Sequence, residues 1–196
     1  MSEIEIIRTN VREMLETRGD DVSFIEEHGD AVEESRYYNE AIVLETDRTA
    51  VIFALTKEIL REWKQEDESY KVMIEKYKMQ NFIIILSEPP SSVMMHFLQL
   101  QDKELQALGG IFQVFYKSEL MHNPMNHVLT PLHEKITKDE ATKVMEEYKI
   151  KNTSQMPLIL KTDKIARWLG LKHSDIVRIT RYNNTSGTYY YYRCCM

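Results

Sequence analysis

Two Glu-x-Lys pairs, Glu62-x-Lys64 and Glu147-x-Lys149, are the residues whose types and spacing could support metal-dependent phosphodiester hydrolysis. That chemistry needs carboxylates to hold Mg2+ at the scissile phosphate, usually with a lysine two residues after one of them. Both pairs lie in charged segments of helical composition, where such residues read as a solvated face. His122, His127 and His133 flank two prolines without cysteine or an H-E-x-x-H pattern, and read as loop or interface histidines. Gly109-Gly110 is a lone pair rather than a phosphate loop, and no serine sits in a G-x-S-x-G setting. Cys194 and Cys195 are adjacent, so on a strand they point to opposite faces and cannot easily bridge. No catalytic, metal-binding or cofactor-binding residue is expected, and no cofactor.

The chemistry that remains is recognition. Lys161, Lys164, Arg167, Lys172, Arg178, Arg181 and Arg193 are interleaved with Trp168 and with four consecutive tyrosines, Tyr189 to Tyr192. Residues 127–196 hold 12 Lys and Arg against 7 Asp and Glu, a net of +5, while residues 1–126 hold 13 against 24, a net of -11. The basic block could bind nucleic acid as a free-standing protein, although the acidic remainder opposes this at long range. Docking on an acidic partner explains the same charges. A module this small buries only about 60% of the surface of its unfolded chain, so its own core is marginal. The tyrosine strand sends two rings to each side, and only one side is expected to be core. The other reads as an interface, since Tyr and Arg are enriched at buried contacts.

The elements that carry these residues follow from local signals. Thr137 and Glu140 form a capping box, so a helix starts at Lys138, with Ala141, Val144, Met145 and Tyr148 toward the core. Thr162 or Asp163 caps a short helix bearing Lys164 and Arg167 on one face, and Gly170 stops it. Ile176 to Arg181 and Thr188 to Cys195 form a hairpin around Asn183, Asn184 and Gly187.

Upstream, Ile4, Ile7, Val11 and Leu15 mark a helix ending at Arg18-Gly19, followed by an acidic stretch with a short helix between Asp20 and Glu34. Ala41 to Leu44 and Val51 to Leu55 form a hairpin turning at Asp47-Arg48, and Lys57 to Met79 reads as a charged helix. Phe82 to Leu86 has no polar side and belongs at the centre of a sheet. Ser91 or Ser92 caps a helix through Leu108, Gly109-Gly110 end it, and Ile111 to Tyr116 returns as a strand.

Composition bounds the class. With 43% hydrophobic and 29% charged residues, the chain reads as a soluble globular protein of one large or two modest domains. No run reaches the roughly eighteen apolar residues of a membrane span, and the acidic N-terminus lacks the regions of a secretory signal, so an intracellular protein without membrane contact is expected. The composition shift near Asn123, Pro124 and Asn126 predicts domains over 1–126 and 127–196.

The C-terminal block also carries a family pattern. His127, Leu129, Pro131 and His133, then Tyr148-Lys149-Ile150, Pro157, Asp163, Ala166-Arg167, Leu169-Gly170, Arg181, Gly187, Tyr189 and Tyr192-Arg193 match in order and spacing. This block resembles the fifth subunit of eukaryotic nuclear RNA polymerases, whose archaeal counterpart is similar to the C-terminal block alone. Lys164 stands where that family commonly has proline, and Tyr182-Asn183-Asn184 where it has Pro-Ser-Glu. The N-terminal region resembles the family's jaw domain by order of elements, and possession of both parts suggests a eukaryotic polymerase or a large DNA virus copy.

The resemblance implies an α/β jaw domain of nuclease-like layered topology over 1–126 and a small α+β assembly domain over 127–196. It implies a non-catalytic polymerase subunit that packs against the largest subunit, beside a neighbouring small subunit, near downstream DNA and without homo-oligomers. The location would be the nucleus for a cellular protein, or a cytoplasmic viral factory or virion for a viral one. The interface residues expected are His127, Pro131, His133, Lys164, Arg167, Trp168, Arg181, Tyr189, Tyr191 and Arg193; DNA is expected to be met indirectly or weakly, with Pro90, Ser91 and Ser92 at a helix N-terminus as the candidate local contact.

Overall fold

In a computed structural model, residues 2–23, 42–54 and 81–196 are described, and the chain divides into two compact units, Met1–His122 and Asn123–Met196.

In the first unit, α1 (Glu3–Thr17) starts at Ser2, whose hydroxyl accepts the Glu5 N–H while the Glu5 carboxylate accepts the Ser2 N–H. Ile7, Val11, Met14 and Leu15 form its buried stripe, and Gly19 at φ 79° closes it in the left-handed region. β1 (Ile42–Glu45) and β2 (Thr49–Ala54) pair antiparallel around Asp47-Arg48. β3 (Asn81–Leu86) and β4 (Ile111–Tyr116) extend the sheet in parallel, in the order β1-β2-β3-β4. Phe82 to Leu86 are each at most 1% exposed, as the lack of a polar side requires, and each such side chain stabilises the fold by about 1.5–3 kcal/mol.

The crossover from β3 to β4 is α2 (Ser92–Ala107), capped by Ser91 and followed by Gly109 at φ 82°. It buries Met94, Leu98 and Leu105. The helix expected over Lys57 to Met79 lies outside the described residues, as does most of the one expected between Asp20 and Glu34.

A buried polar cluster fixes the end of α1. The Asp20 carboxylate accepts from the hydroxyls of Thr49 and Thr46 and pairs with the Arg48 guanidinium at 2.9 Å. Arg48 also donates to the carbonyls of Arg18 and Gly19, and Arg18 donates to Gln113 Oε1 at 2.6 Å. These bonds tie α1 to the β1–β2 turn and to β4, and they satisfy a carboxylate that would be costly to bury alone. Asp47 accepts the Asp21 N–H at 3.1 Å, a turn residue's part in the same cluster.

The second unit is built around a sheet of order β5-β7-β8-β6. Its strands are β5 (Leu132–Lys135), β6 (Leu158–Ile159), β7 (Ile176–Asn183) and β8 (Gly187–Cys195), with β6 parallel to β8 and the other pairs antiparallel. α3 (Lys138–Glu147) carries the predicted capping box of Thr137 and Glu140. α4 (Lys164–Trp168) is capped by Asp163, whose carboxylate accepts the N–H groups of Ile165 and Ala166, and Gly170 at φ 61° ends it.

Two expectations for this unit need correction. Tyr148, placed on the core side by helical spacing, is 55% exposed because it is the C-cap just past the end of α3, and its ring meets that of Tyr192 edge-on at 6.0 Å. The sheet also has core on both sides rather than one. Val177, Ile179 and Cys195 pack with Ile159, Ala166, Leu169 and Leu171, whereas Ile176 and Cys194 pack with Ile136, Val144 and Met156. Alternation on β8 sends Cys194 and Cys195 into different clusters, and burial pushes both thiols up, which keeps them protonated and unreactive.

Candidate functional site

Register decides which side chains of the basic block meet. His133 lies opposite Ile179, Tyr191 opposite Ile179, Tyr189 opposite Arg181 and Arg193 opposite Val177. Directly paired residues share a face, so His133, Arg181, Tyr189, Tyr191 and Arg193 stand on one side of the sheet, the side that α4 covers at its base. Five of the predicted interface residues are thereby gathered from three strands.

Tyr191 is the centre of this group. The Arg181 guanidinium lies 4.8 Å from its ring centroid and that of Arg193 lies 5.6 Å away, both within cation–π range. Its ring also packs against the cluster under α4. Among the described residues neither arginine has an acidic partner, and Arg193 Nε is buried without a hydrogen bond. His133 Nδ1–H donates to the Pro131 carbonyl at 2.6 Å, which leaves Nε2 as an acceptor. Its burial lowers its pKa from the usual 6.5, a shift that Arg193 and Arg181 reinforce and that the Pro131 hydrogen bond and Asp163 oppose. The result is two cations, a neutral imidazole and a tyrosine ring on one surface. Such a surface is suited to receive carboxylates.

The lowered pKa sets a sign for pH dependence. The folded state binds fewer protons at His133 than the unfolded chain does, so the stabilisation present above pH 6.5 is lost as pH falls through the folded value. Chemical denaturation of the chain should show this decline below pH 6.5, and His133→Asn should flatten it.

The remaining predicted residues are dispersed. His127 is exposed, with Nδ1 accepting the Leu129 N–H, and Pro131 is half-buried. Lys164 is exposed at the start of α4, and Arg167 is half-buried further along it. Trp168 must be corrected: at 2% exposure it belongs to the domain's interior and offers no surface, because it opens the wholly buried run Trp168 to Leu171 at the end of α4. Pro90 is half-buried, while Ser91 and Ser92 are exposed at the start of α2, where the Ser91 hydroxyl accepts the Met94 N–H at 3.4 Å.

The Glu147-x-Lys149 pair gains no chemistry. Lys149 takes the left-handed conformation at φ 54° that closes α3, and both it and Glu147 face solvent. Glu62 and Lys64 lie outside the described residues.

Sequence reasoning missed the opposite side of the sheet. Arg178 is held by Glu134 at 3.1 Å and lies over the Tyr190 ring at 5.4 Å, beside exposed Leu132. Glu134 and Arg178 are 44 positions apart, and only the pairing of β5 with β7 brings them together.

The fold defines a small α+β domain that gathers cations and a tyrosine on one face, and comparison shows what this domain is similar to. Residues 122–195 match the family model of the RNA polymerase Rpb5, C-terminal domain.

The chain is similar to the Dictyostelium discoideum DNA-directed RNA polymerases I, II, and III subunit rpabc1, with 39% identity over 82 residues, covering 42% of this chain and 41% of that protein. The Caenorhabditis briggsae subunit RPABC1 is likewise 39% identical over 79 residues, covering 40% of this chain and 37% of the relative. The matched stretch thus spans about two fifths of each relative.

Proposed function

We propose that the chain is a non-catalytic subunit of a multi-subunit DNA-directed RNA polymerase. The match of residues 122–195 to the Rpb5 C-terminal domain carries this reading. The domain docks on the largest subunit, with a neighbouring small subunit beside it, through the face formed by His133, Arg181, Tyr189, Tyr191 and Arg193, while His127, Pro131, Lys164 and Arg167 flank the contact. Residues 1–126 serve as the jaw domain near downstream DNA, and other chains hold the active site. In a cell the protein works in the nucleus; as a viral copy it works in a cytoplasmic factory or is packaged in the virion.

Pull-down of the tagged chain from its source tests this. Large polymerase subunits should co-purify, and recovery of nucleic acid without them would overturn the reading. Contact with DNA is weak and local, at the start of α2, where the positive end of the helix dipole beside exposed Ser91 and Ser92 can meet one phosphate. Ser91→Asp with Ser92→Asp should therefore destabilise transcription complexes and alter their salt dependence, and an unchanged salt slope removes the contact.

A further inference from the structure

The outer edge of β8 is open along most of its length. β6 covers only Cys194 and Cys195, whereas β8 runs from Gly187 to Cys195. The side on which each backbone group lies follows from the bonds at the covered end. The Cys194 N–H donates outward to the Pro157 carbonyl, and the Cys195 N–H donates inward to the Asp175 carbonyl. Backbone direction alternates along an antiparallel strand, so Thr188, Tyr190 and Tyr192 also direct their N–H and C=O groups outward. Among the described residues these groups have no backbone partner.

Natural edges are usually blunted by proline, lysine, bulges or short length. This one has none of those devices: its register with β7 is uninterrupted from Asn183–Gly187 to Ile176–Cys194, and its exposed residues include Tyr189 at 39% and Tyr190 at 56%. An unprotected edge of this kind is a template for another strand.

We infer that β8 receives an extended acidic segment of a partner polypeptide, which adds a strand along Thr188 to Tyr192. The proposal rests on the subunit reading for who the partner is, and it adds the mode of docking. Charge selects the occupant. Side chains of an added strand stand about 4.5–5.5 Å from their cross-strand neighbours. On one side those neighbours are Tyr189, Tyr191 and Arg193, with Arg181 one strand further, and the two arginines have no acidic partner among the described residues. Carboxylates at alternate positions would meet these cations and give buried Arg193 Nε an acceptor. On the other side Tyr190 and Tyr192 present rings to β-branched side chains. The fitting segment alternates acidic and β-branched residues.

Residue-resolved hydrogen exchange on the full chain tests this, using as probes a synthetic peptide alternating Glu with Val and its counterpart alternating Lys with Val. The Glu peptide should slow the amides of Thr188, Tyr190 and Tyr192 about tenfold or more, with smaller changes at Tyr189, Tyr191 and Arg193, which already face β7. No slowing at the outward amides overturns the proposal, and equal slowing by both peptides overturns its acidic partner.

Tyr190→Pro removes an outward N–H while sparing the ladder to β7, as proline at an edge can. It should abolish the protection, whereas Tyr190→Ala should retain part of it. In pull-downs, Tyr190→Pro with a wild-type melting temperature should lose the polymerase subunits. If it keeps them, the edge is not the docking mode and the subunit reading stands. If the wild type fails to recover them, the subunit reading falls and the peptide result still decides the edge.

Discussion

Arg181→Glu combined with Arg193→Glu should leave the chain folded and weaken its incorporation into a polymerase complex by about a hundredfold or more. Each arginine makes one cation–π contact with Tyr191 and no ion pair among the described residues. Their loss costs the free chain about 0.5–1 kcal/mol apiece. Facing an acidic partner, the reversed charges would instead be repelled at a surface where truncating one member of a buried charge pair already costs about 2–5 kcal/mol.

A second readout separates a local change from unfolding. Arg193 and Arg181 both lower the His133 pKa, so replacing them with carboxylates should move its titration upward in nuclear magnetic resonance spectra. Undiminished incorporation in a variant that shows this upward shift would contradict the proposed face.

What could be read from the sequence was what local chemistry determines. Thr137 with Glu140, Asp163, Ser91 and the glycines at 19, 109 and 170 cap or stop helices by bonds within a few residues, and each is found in that role. The run Phe82 to Leu86 announced a central strand because nothing in it could face water. β5 and β6 gave no such signal: four and two residues are too short to show alternation, and both exist because β7 and β8 offer edges.

The proposed docking face was half legible for the same reason. Tyr, Arg and His could be nominated by type, and the β7–β8 hairpin register puts Arg181, Tyr189, Tyr191 and Arg193 on one side, yet His133 joins them only through a pairing with Ile179, 46 positions away. The open edge of β8 depends on how far β6 reaches, which no local pattern encodes. The Asp20 cluster joins residues 26 to 29 positions apart and was invisible for that reason.

Trp168→Ala should lower the stability of the C-terminal domain by about 3–5 kcal/mol, the usual cost of removing a buried aromatic ring. Whole domains commonly have only about 5–15 kcal/mol in total, and this one spreads a small core over two sides of its sheet. Calorimetry of the full chain should therefore show a separate low-temperature transition in the variant, which Trp168→Phe should largely restore. Binding can offset such a loss, since a partner present at a hundred times its dissociation constant contributes about 2.7 kcal/mol. Incorporation of Trp168→Ala should accordingly recover at low temperature and with excess partner. A surface tryptophan would behave in the opposite way, with an unchanged melting temperature and a docking defect that cooling does not repair. The pair of measurements thus decides whether residue 168 acts through the fold or through the interface, and burial at 2% predicts the fold.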